Sequence, residues 1–537
     1  YDTIRVSPDT FQPQLGGLQF TPLRAYAYQL PRYYIQNFGS AITHPDTNEY
    51  AAFAQDTIRV SNHFALSLGA RYDLQDFNLK GLVSNPLWPD SGKVPHDPNN
   101  FSPRVGFAYS VGENRPLVIR AGYGIFYTRI PQIYTSTIES ENGINNGHLF
   151  LDNAHVLDHR VFPQYPDVVV KCPMTATSCL APGSLENFIQ RDVSAFAHDF
   201  QTPHVEQASL SIEREFAERM AAGISLMYVH GEHLIRARDV NLPAPTTVSY
   251  PVFDQTGSTF LGTYDTVQSF STGQFFPSAS CPITPCINPV QRPIAGLGAV
   301  NVFESAASST YQGITISLRR RMTHGLYFRL AYTYAKAIDD GQDALVAGQP
   351  ATVQNTYAPN AERGPSTTDQ RNRLAFSWIA EPRPFDREHP ALGKLFNSWK
   401  FSGVFTYGSG RPVDARVVGD ANQDDNSLND RLPGASRNSF LGPDYSTTDL
   451  RITRRIYLSD KIKLDLVVES FNALNRNNKK LDVSSNGFLN NASQFVPIDN
   501  RIGINLFPAQ FRQQTNFLTP TDAYAPRQLQ VALKLIY

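Results

Sequence analysis

The 537-residue sequence lacks the features that identify several common classes of protein. No run of about 18 apolar residues occurs, so the sequence predicts no membrane-spanning helix. Charge is nearly balanced, with 47 Lys and Arg against 48 Asp and Glu, and without a basic run we expect no nucleic-acid partner. The sequence has no GxxxxGK phosphate loop, GxSxG elbow or HExxH zinc motif, so we expect no enzyme activity. These absences do not exclude a membrane β-barrel. Apolar and polar residues alternate along its strands, so the mean hydropathy of such a strand is not that of a membrane-spanning helix.

Apolar and polar residues alternate with a period of two along the whole chain. The pattern occurs in FALSLGARY (64–72), LVIRAGYGIFY (117–127), LYFRLAYTY (326–334) and the final RQLQVALKLIY (527–537). Such alternation is typical of strands with one apolar and one polar face. The strands of a soluble sandwich also alternate, but a strand at the end of a chain needs neighbours on both sides, which a closed barrel supplies.

The connections between these strands alternate in length. Short turns are predicted at 61–63, 112–116, 216–219, 321–325 and 458–461, and long stretches cover 73–101, 128–203, 232–310, 335–370, 408–448 and 473–526. Outer-membrane barrels have this asymmetry, with short periplasmic turns and long external loops, whereas a compact soluble domain rarely carries one such loop. The connection 381–398 is an exception, since it should be short and is not.

Tyrosines near the strand ends that lead into long loops match the aromatic girdle of a lipid interface, although cross-strand packing would also explain them: they are Tyr72, Tyr127, Tyr228, Tyr334 and Tyr407. The sequence therefore predicts an all-β, transmembrane antiparallel barrel with about 13 to 15 strands in this chain. Polar inward residues such as Arg71, Arg120 and Arg329 would line its lumen.

Four cysteines lie in the predicted external loops. Cys172 and Cys179 lie in one long loop, and Cys281 and Cys286 lie in the next. Two close pairs in an oxidising compartment indicate local disulfides, Cys172–Cys179 and Cys281–Cys286, because closing the shorter loop costs less entropy. We expect them to stiffen the loops.

The segment GDANQDDNSLNDRLPG (419–434) predicts a structural Ca²⁺ site, and we expect no other cofactor. Oxygen-bearing side chains at every second position can turn towards one hard cation: the candidates are Asp420, Asn422, Asp424 and Asn426, followed by Asp430. The segment departs from a calcium loop at Asp425, where Gly is preferred, and at Arg431, where a bidentate Glu belongs. A solvated acidic turn or a surface ion pair of Asp430 is the alternative.

Two histidine pairs lie at strand exits, His155 with His159, and His230 with His233 in HGEH. Each pair lacks further ligands at a recognisable spacing, so the sequence predicts no metal site at either.

Six segments resemble the C-terminal barrel region of TonB-dependent outer-membrane receptors, and most closely the Oar-like branch of that family. They occur in the expected order and span most of the chain: YAAFAQDTIRVSNHFALSLGARYD (50–73), NNFSPRVGFAYS (99–110), VIRAGYGIFY (118–127), YQGITISLRRR (311–321), LAYTYAKAIDD (330–340) and ESFNALNRNN (469–478). The resemblance implies a 22-stranded barrel, an N-terminal plug and a segment that engages a TonB-type periplasmic energy-coupling protein. It also implies a place in the bacterial outer membrane, in contact with outer-membrane lipid.

This sequence departs from that family because neither a plug nor a coupling segment is recognisable. Residues 1–49 are expected to form a barrel strand and a loop with a truncated start, and 50–537 the C-terminal part of the barrel; a smaller complete barrel is the alternative. The expected function is energised uptake of a bulky nutrient, with the plug missing from this chain. The rival is a structural or adhesive barrel that displays its loops, and other outer-membrane or surface proteins are candidate partners.

Overall fold

The structure is a computed structural model of the chain. It describes residues 3–8, 11–12, 18–19, 23, 31–38, 42–112, 115–144, 146–152, 191–270, 292–341, 345–346, 349–385, 396–418, 421–424, 426, 429–459, 461–481, 488–491, 495–499, 503–506 and 511–537. The helices with bounds inside these ranges are an α-helix, Gln132–Ser140, and two 3₁₀ helices, Pro89–Gly92 and Pro359–Glu362. None of the described helices is long and apolar enough to cross a membrane.

One large sheet dominates these residues, and its main path runs through 13 strands in chain order. Each strand pairs antiparallel with its neighbours in the sequence. The strands are β1 Asp46–Arg59, β2 Phe64–Asn78, β3 Phe101–Val111, β4 Leu117–Tyr127, β5 His204–Ala217, β6 Met220–Asp239, β7 Val300–Thr323, β8 Leu326–Asp339, β9 Asn372–Ala380, β10 Trp399–Gly408, β11 Tyr445–Tyr457, β12 Lys463–Phe471 and β13 Gln528–Ile536. Among the described strands, β1 and β13 do not pair with each other, so the sheet has two edges.

The register of the strands collects the apolar residues into rows that cross the sheet. Ile212 lies opposite Ile224, which lies opposite Ile316, which in turn lies opposite Tyr332. Successive side chains point to opposite faces, so these rows form one face, which we call the apolar face. Ile224 and Ile316 are 49% and 47% exposed, and a broad apolar surface of this kind marks contact with a membrane or with another protein.

The lengths of the connections agree with the expected alternation. Short connections at 60–63, 112–116, 218–219, 324–325 and 458–462 define the turn end of the sheet. Long connections at 79–100, 128–203, 240–299, 340–371, 409–444 and 472–527 define the loop end. The connection 381–398 is long although it lies at the turn end, as its sequence indicated.

The described residues of 1–49 differ from the expected barrel strand and loop. Thr3–Pro8 and Pro31–Phe38 pair with each other, and Pro31–Phe38 also pairs with Gly147–Asp152, in a separate three-stranded sheet. The first strand of the large sheet already begins at Asp46. The partner strand Gly147–Asp152 lies in a distant loop, so no local pattern in 1–49 could indicate it.

Buried apolar side chains gather at the loop end. β6 and β7 have 20 and 24 residues, about twice the 9–11 residues that a membrane-spanning strand needs. One buried cluster packs on their loop halves: Phe77, Ile130, Ile138, Phe196, Phe200, Ala237 and Phe303. The short strand Val193–Phe196 also runs parallel to the start of β7. This cluster therefore holds loops onto the extended ends of the sheet.

Candidate functional site

The face opposite the apolar rows, which we call the polar face, carries the three arginines predicted to line a lumen. Arg71, Arg120 and Arg329 each lie opposite a serine of a neighbouring strand. Each is next in sequence to residues of the apolar face, and side chains of adjacent strand residues point to opposite sides. This position is the one that a lumen-facing role requires, and that role stays a prediction.

The three arginines differ in their partners. Arg71 Nη2 lies 2.7 Å from Asp73 Oδ1. Arg120 and Arg329 are exposed and form no ion pair with any residue that the structure describes. A guanidinium group binds carboxylates and phosphates in bidentate geometry, so these two side chains are available to an anionic partner on the polar face.

The loops after β6, β8 and β10 meet at the loop end in a buried polar group of residues, which we call the loop cluster. At its centre, Arg431 Nη1 lies 2.6 Å from Glu362 Oε2 and Nη2 lies 2.8 Å from Oε1. Both side chains are only 8% exposed. This bidentate geometry is the strong form of an ion pair, and it fastens the loop after β8 to the loop after β10.

A second buried ion pair lies in the loop after β6, where Thr356 Oγ1 of the loop after β8 donates to the carbonyl of Asp239 at 2.7 Å. Arg292 Nη1 lies 2.8 Å from Asp239 Oδ2. Asp239 Oδ1 accepts hydrogen bonds from the backbone N–H groups of Asn241 and Val300, each at 2.9 Å. Burial raises the pKa of Asp239, while Arg292 and the two N–H groups act in the opposite direction. The carboxylate thus joins the end of β6 to the start of β7.

Arg437 supplies a third buried charge in the loop cluster. Its side chain is 1% exposed, donates from Nε to the Glu362 carbonyl at 2.7 Å, and forms an ion pair with Asp339. Burial lowers the pKa of Arg437 and raises that of Asp414. Since a buried charge is costly unless it is paired and hydrogen-bonded, these contacts explain how the loops can enclose so many ionisable groups.

Four of the five predicted calcium ligands are described, and Asp420 lies outside the described residues. Asn422 Oδ1 accepts the backbone N–H of Asp424 at 3.1 Å, and Asp424 Oδ1 accepts that of Asn426 at 2.8 Å. Asp430 Oδ1 accepts the backbone N–H of Asn422 at 3.0 Å. These are the local contacts that make Asp and Asn good turn residues. The side chains therefore organise the turn, and calcium binding stays a prediction.

A cavity inside the loop cluster has a volume of about 30 Å³ and is lined by Arg236, Thr352, Glu362, Asn429 and Arg431, among others. It has room for one or two water molecules, which is too little for a ligand. The loop cluster therefore serves to hold the loops after β6, β8 and β10 in one arrangement.

Other predicted residues fall outside the described part of the chain. Both cysteine pairs lie there, so the two disulfides stay predictions. His155 and His159 lie there as well. His230 and His233 are described and lie in the loop half of β6.

The sequence did not predict the central residues Glu362 and Asp239 of the loop cluster. Glu362 lies 69 positions from Arg431, and Asp239 lies 53 positions from Arg292. An ion pair between loops depends on how the loops fold, so no spacing within the chain could have indicated it.

Comparison with known proteins gives one family and several distant structures. A family model described as an outer membrane beta barrel domain matches residues 6–434. A comparison with curated proteins gave no match. Similar solved structures include the pyoverdine outer membrane receptor FpvA from Pseudomonas aeruginosa bound to pyoverdine, with 11% identity over 97% of this chain and 44% of that chain and a TM-score of 0.41.

Two others are the outer membrane transporter YddB from Escherichia coli and a variant of the ferric enterobactin receptor PfeA from Pseudomonas aeruginosa. YddB has 10% identity over 89% of this chain and 49% of its own, with a TM-score of 0.42. PfeA has 11% identity over 94% of this chain and 50% of its own, with a TM-score of 0.42. The chain spans half or less of the length of these structures.

The family assignment accords with the features of the fold. The chain has an antiparallel meander, an apolar and a polar face, and long loops at one end. The family match covers more than half of the 537 residues. The chain belongs to the outer membrane β-barrel domain family, and its place is the bacterial outer membrane.

Proposed function

We propose that this chain is the C-terminal part of the barrel of a TonB-dependent receptor of the Oar-like branch, which takes up a bulky nutrient by energised transport. The observation that carries the proposal is the sheet itself, in which the outer edges of β1 and β13 have no partner strand among the described residues. Open edges invite pairing with further strands. A 22-stranded barrel, the size that holds a plug, needs about nine strands more than the 13 described.

The polar face favours transport over display. Arg120 and Arg329 present guanidinium groups without an ion pair in the described residues. In a plugged barrel they would meet acidic groups of the plug or of a passing anionic cargo. A barrel that only displays its loops does not need such cations on its inner wall.

The proposed partners follow from the apolar face, from the loop cluster and from the expected plug. The apolar face would contact outer-membrane lipid, and a plug segment outside this chain would engage a TonB-type periplasmic protein. The loop cluster fixes three loops before any cargo or surface protein arrives, which lowers the entropy cost of binding. A Ca²⁺ ion at residues 420–430 would stiffen one of these loops and take no part in transport.

The whole protein, purified from outer membranes, provides the test. We expect its intact mass to exceed that of this chain by a plug and the remaining strands. We also expect saturable binding to the purified periplasmic domain of a TonB-type protein from the same organism, measured by biolayer interferometry. The control is the same protein with its upstream region removed, which should not bind. A mass equal to that of this chain, together with no binding, would contradict transport and favour the display barrel.

A further inference from the structure

Two His-x-Glu triplets meet on the apolar-face side of the sheet, at its loop end. They are His204–Val205–Glu206 at the start of β5 and His230–Gly231–Glu232 in β6. The antiparallel register places His204 opposite Glu232 and Glu206 opposite His230. Residues two apart share a face, and directly opposed Cβ atoms are about 4.5–5.5 Å apart. The four side chains therefore converge, and three of them, His204, Glu206 and Glu232, offer ligand atoms within 4.8 Å of one another.

The ring of His230 brings two hydrogen-bond acceptors face to face. Its Nδ1 lies 2.9 Å from the carbonyl oxygen of Ser309 and 3.1 Å from Thr310 Oγ1. The hydroxyl can donate or accept, but the carbonyl only accepts, so the contact with Ser309 requires a hydrogen on Nδ1. In the neutral ring Nε2 then has a lone pair, and it lies 3.1 Å from Glu232 Oε1. Two lone pairs at this distance repel each other, so a proton or a metal ion must lie between them. In metal sites, a histidine that binds the metal through one ring nitrogen commonly donates a hydrogen bond from the other to a backbone carbonyl, which orients the ring.

His204 adds a buried imidazole whose polar atoms are poorly satisfied. The residue is 8% exposed, and its Nδ1 is buried without a hydrogen bond to any described residue. Its Nε2 lies 3.6 Å from Glu232 Oε2, which is too far for a hydrogen bond. A buried polar group left in this state costs free energy. Coordination of a cation between His204 Nε2 and Glu232 would give that nitrogen and the carboxylate a common partner.

A β-bulge in β6 brings a third histidine to the same place. The register between β6 and β7 shifts between Gly231 and Leu234, and His233 has a φ of +55°, which few residues other than glycine adopt. Its ring centroid lies 5.1 Å from that of His204. Bulges change the direction of side chains beside functional sites. Residues held in rare backbone conformations also cluster at functional sites.

We propose that His204, His230, Glu206 and Glu232 bind one divalent transition-metal ion of the Zn²⁺ class, with His233 beside them. Imidazole nitrogens together with carboxylate oxygens suit Zn²⁺, whereas Ca²⁺ takes oxygen ligands alone. Tetrahedral Zn²⁺ with bonds near 2.0–2.1 Å separates its ligand atoms by about 3.4 Å. The two distances from Glu232 to the histidine nitrogens, 3.1 and 3.6 Å, lie on either side of that value.

The site lies where the membrane surface is expected. Tyr228, His230 and Glu232 alternate along β6, and His204 lies opposite Tyr127. Tyrosines on the lipid-facing side of a barrel mark the interface, so the next rows towards the loops lie at the level of the lipid headgroups. This side is opposite the polar face, and the proposed ion therefore lies outside the transport path. It would fasten β5 to β6 at the membrane surface.

Zn²⁺ titration of the whole chain tests the site. The whole protein that contains this chain is purified in detergent from outer membranes, stripped with EDTA, and titrated by isothermal calorimetry with Ca²⁺ in excess, which saturates any all-oxygen site. We expect one Zn²⁺ per chain. We expect Glu232→Gln and His204→Gln each to weaken binding at least about tenfold, since even residues behind the ligands affect affinity by this much. His63→Gln, which alters an exposed histidine at the turn end, is the matched control and should leave binding unchanged.

Two further measurements keep the test decisive. Gel migration before and after heating shows whether each variant has folded, and the visible spectrum of the wild-type chain with Co²⁺ reports its ligands even if a variant fails to fold. We expect a tetrahedral spectrum without thiolate bands. No saturable Zn²⁺ binding would show that a proton alone separates His230 from Glu232, and it would overturn the proposal. Thiolate bands, or equal Zn²⁺ affinity in wild type and His204→Gln, would place the ion elsewhere and would also overturn it.

Discussion

Replacing Glu362 by glutamine would leave the Arg431 guanidinium buried without its anion. Both side chains are 8% exposed, and the two hydrogen bonds between them measure 2.6 and 2.8 Å. Glu362 Oε1 also accepts the backbone N–H of Gln354 at 3.0 Å. Removing one partner of a buried ion pair costs about 3–5 kcal/mol, and the glutamine amide keeps one acceptor, so we expect the lower value, about 3 kcal/mol.

This cost should appear as local opening of the loop cluster, because the ion pair joins loops and lies outside the paired strands. At about 1.4 kcal/mol for each factor of ten, the loss would raise the open population by about 100-fold or more. Hydrogen exchange followed by mass spectrometry measures it in peptides that cover 352–369 and 412–441. Exchange there should accelerate by that factor, while exchange in β6 and β7 should not change.

Two further variants separate the buried charge from other effects. Asp444→Asn breaks an ion pair with Arg476 of similar length, 2.8 Å, but its side chains are 45% and 40% exposed, so it should cost at most about 1 kcal/mol. The double variant Glu362→Met with Arg431→Met removes both charges and should recover most of the protection, since apolar replacements of buried pairs are often neutral. If Glu362→Gln exchanges no faster than Asp444→Asn, the reasoning about the buried pair is wrong.

Three other predictions concern the membrane faces, the cysteines and calcium. Leu330→Arg, on the apolar face, should cost about 2–4 kcal/mol near the bilayer centre, and Ala331→Arg, on the polar face, should cost less; equal losses in a membrane-folding assay would refute the assignment of the faces. Mass mapping of non-reduced peptides should find Cys172–Cys179 and Cys281–Cys286, because the shorter closure costs less entropy; free thiols or a link between the two loops would contradict this. Calorimetric titration with Ca²⁺ should give one site that Asp424→Ala weakens. The same heat from both proteins would contradict the calcium site and favour an acidic turn that binds no ion.

The sequence alone determined the strands of the large sheet and their two faces. Side chains alternate along any extended chain, so the apolar residues of FALSLGARY or LYFRLAYTY had to share a face wherever their partners lay. The short turns followed for the same local reason, because few residues are needed to reverse the chain between adjacent antiparallel strands. The register then placed Arg71, Arg120 and Arg329 on the polar face that their positions in the alternation had indicated.

Contacts between distant segments were decided only by the tertiary structure. The strand Pro31–Phe38 pairs with Gly147–Asp152 in a separate sheet, and Glu362 reaches Arg431 across two loops. The local propensities of the residues do not predict such contacts, because the contacts depend on how the long loops fold back onto the sheet and onto one another. The same holds for the proposed metal site: the sequence HGEH offered two histidines and Glu232, and the antiparallel register brought His204 and Glu206 to them from the preceding strand. Alternation fixes which face a side chain occupies, whereas pairing and loop packing fix what it meets there.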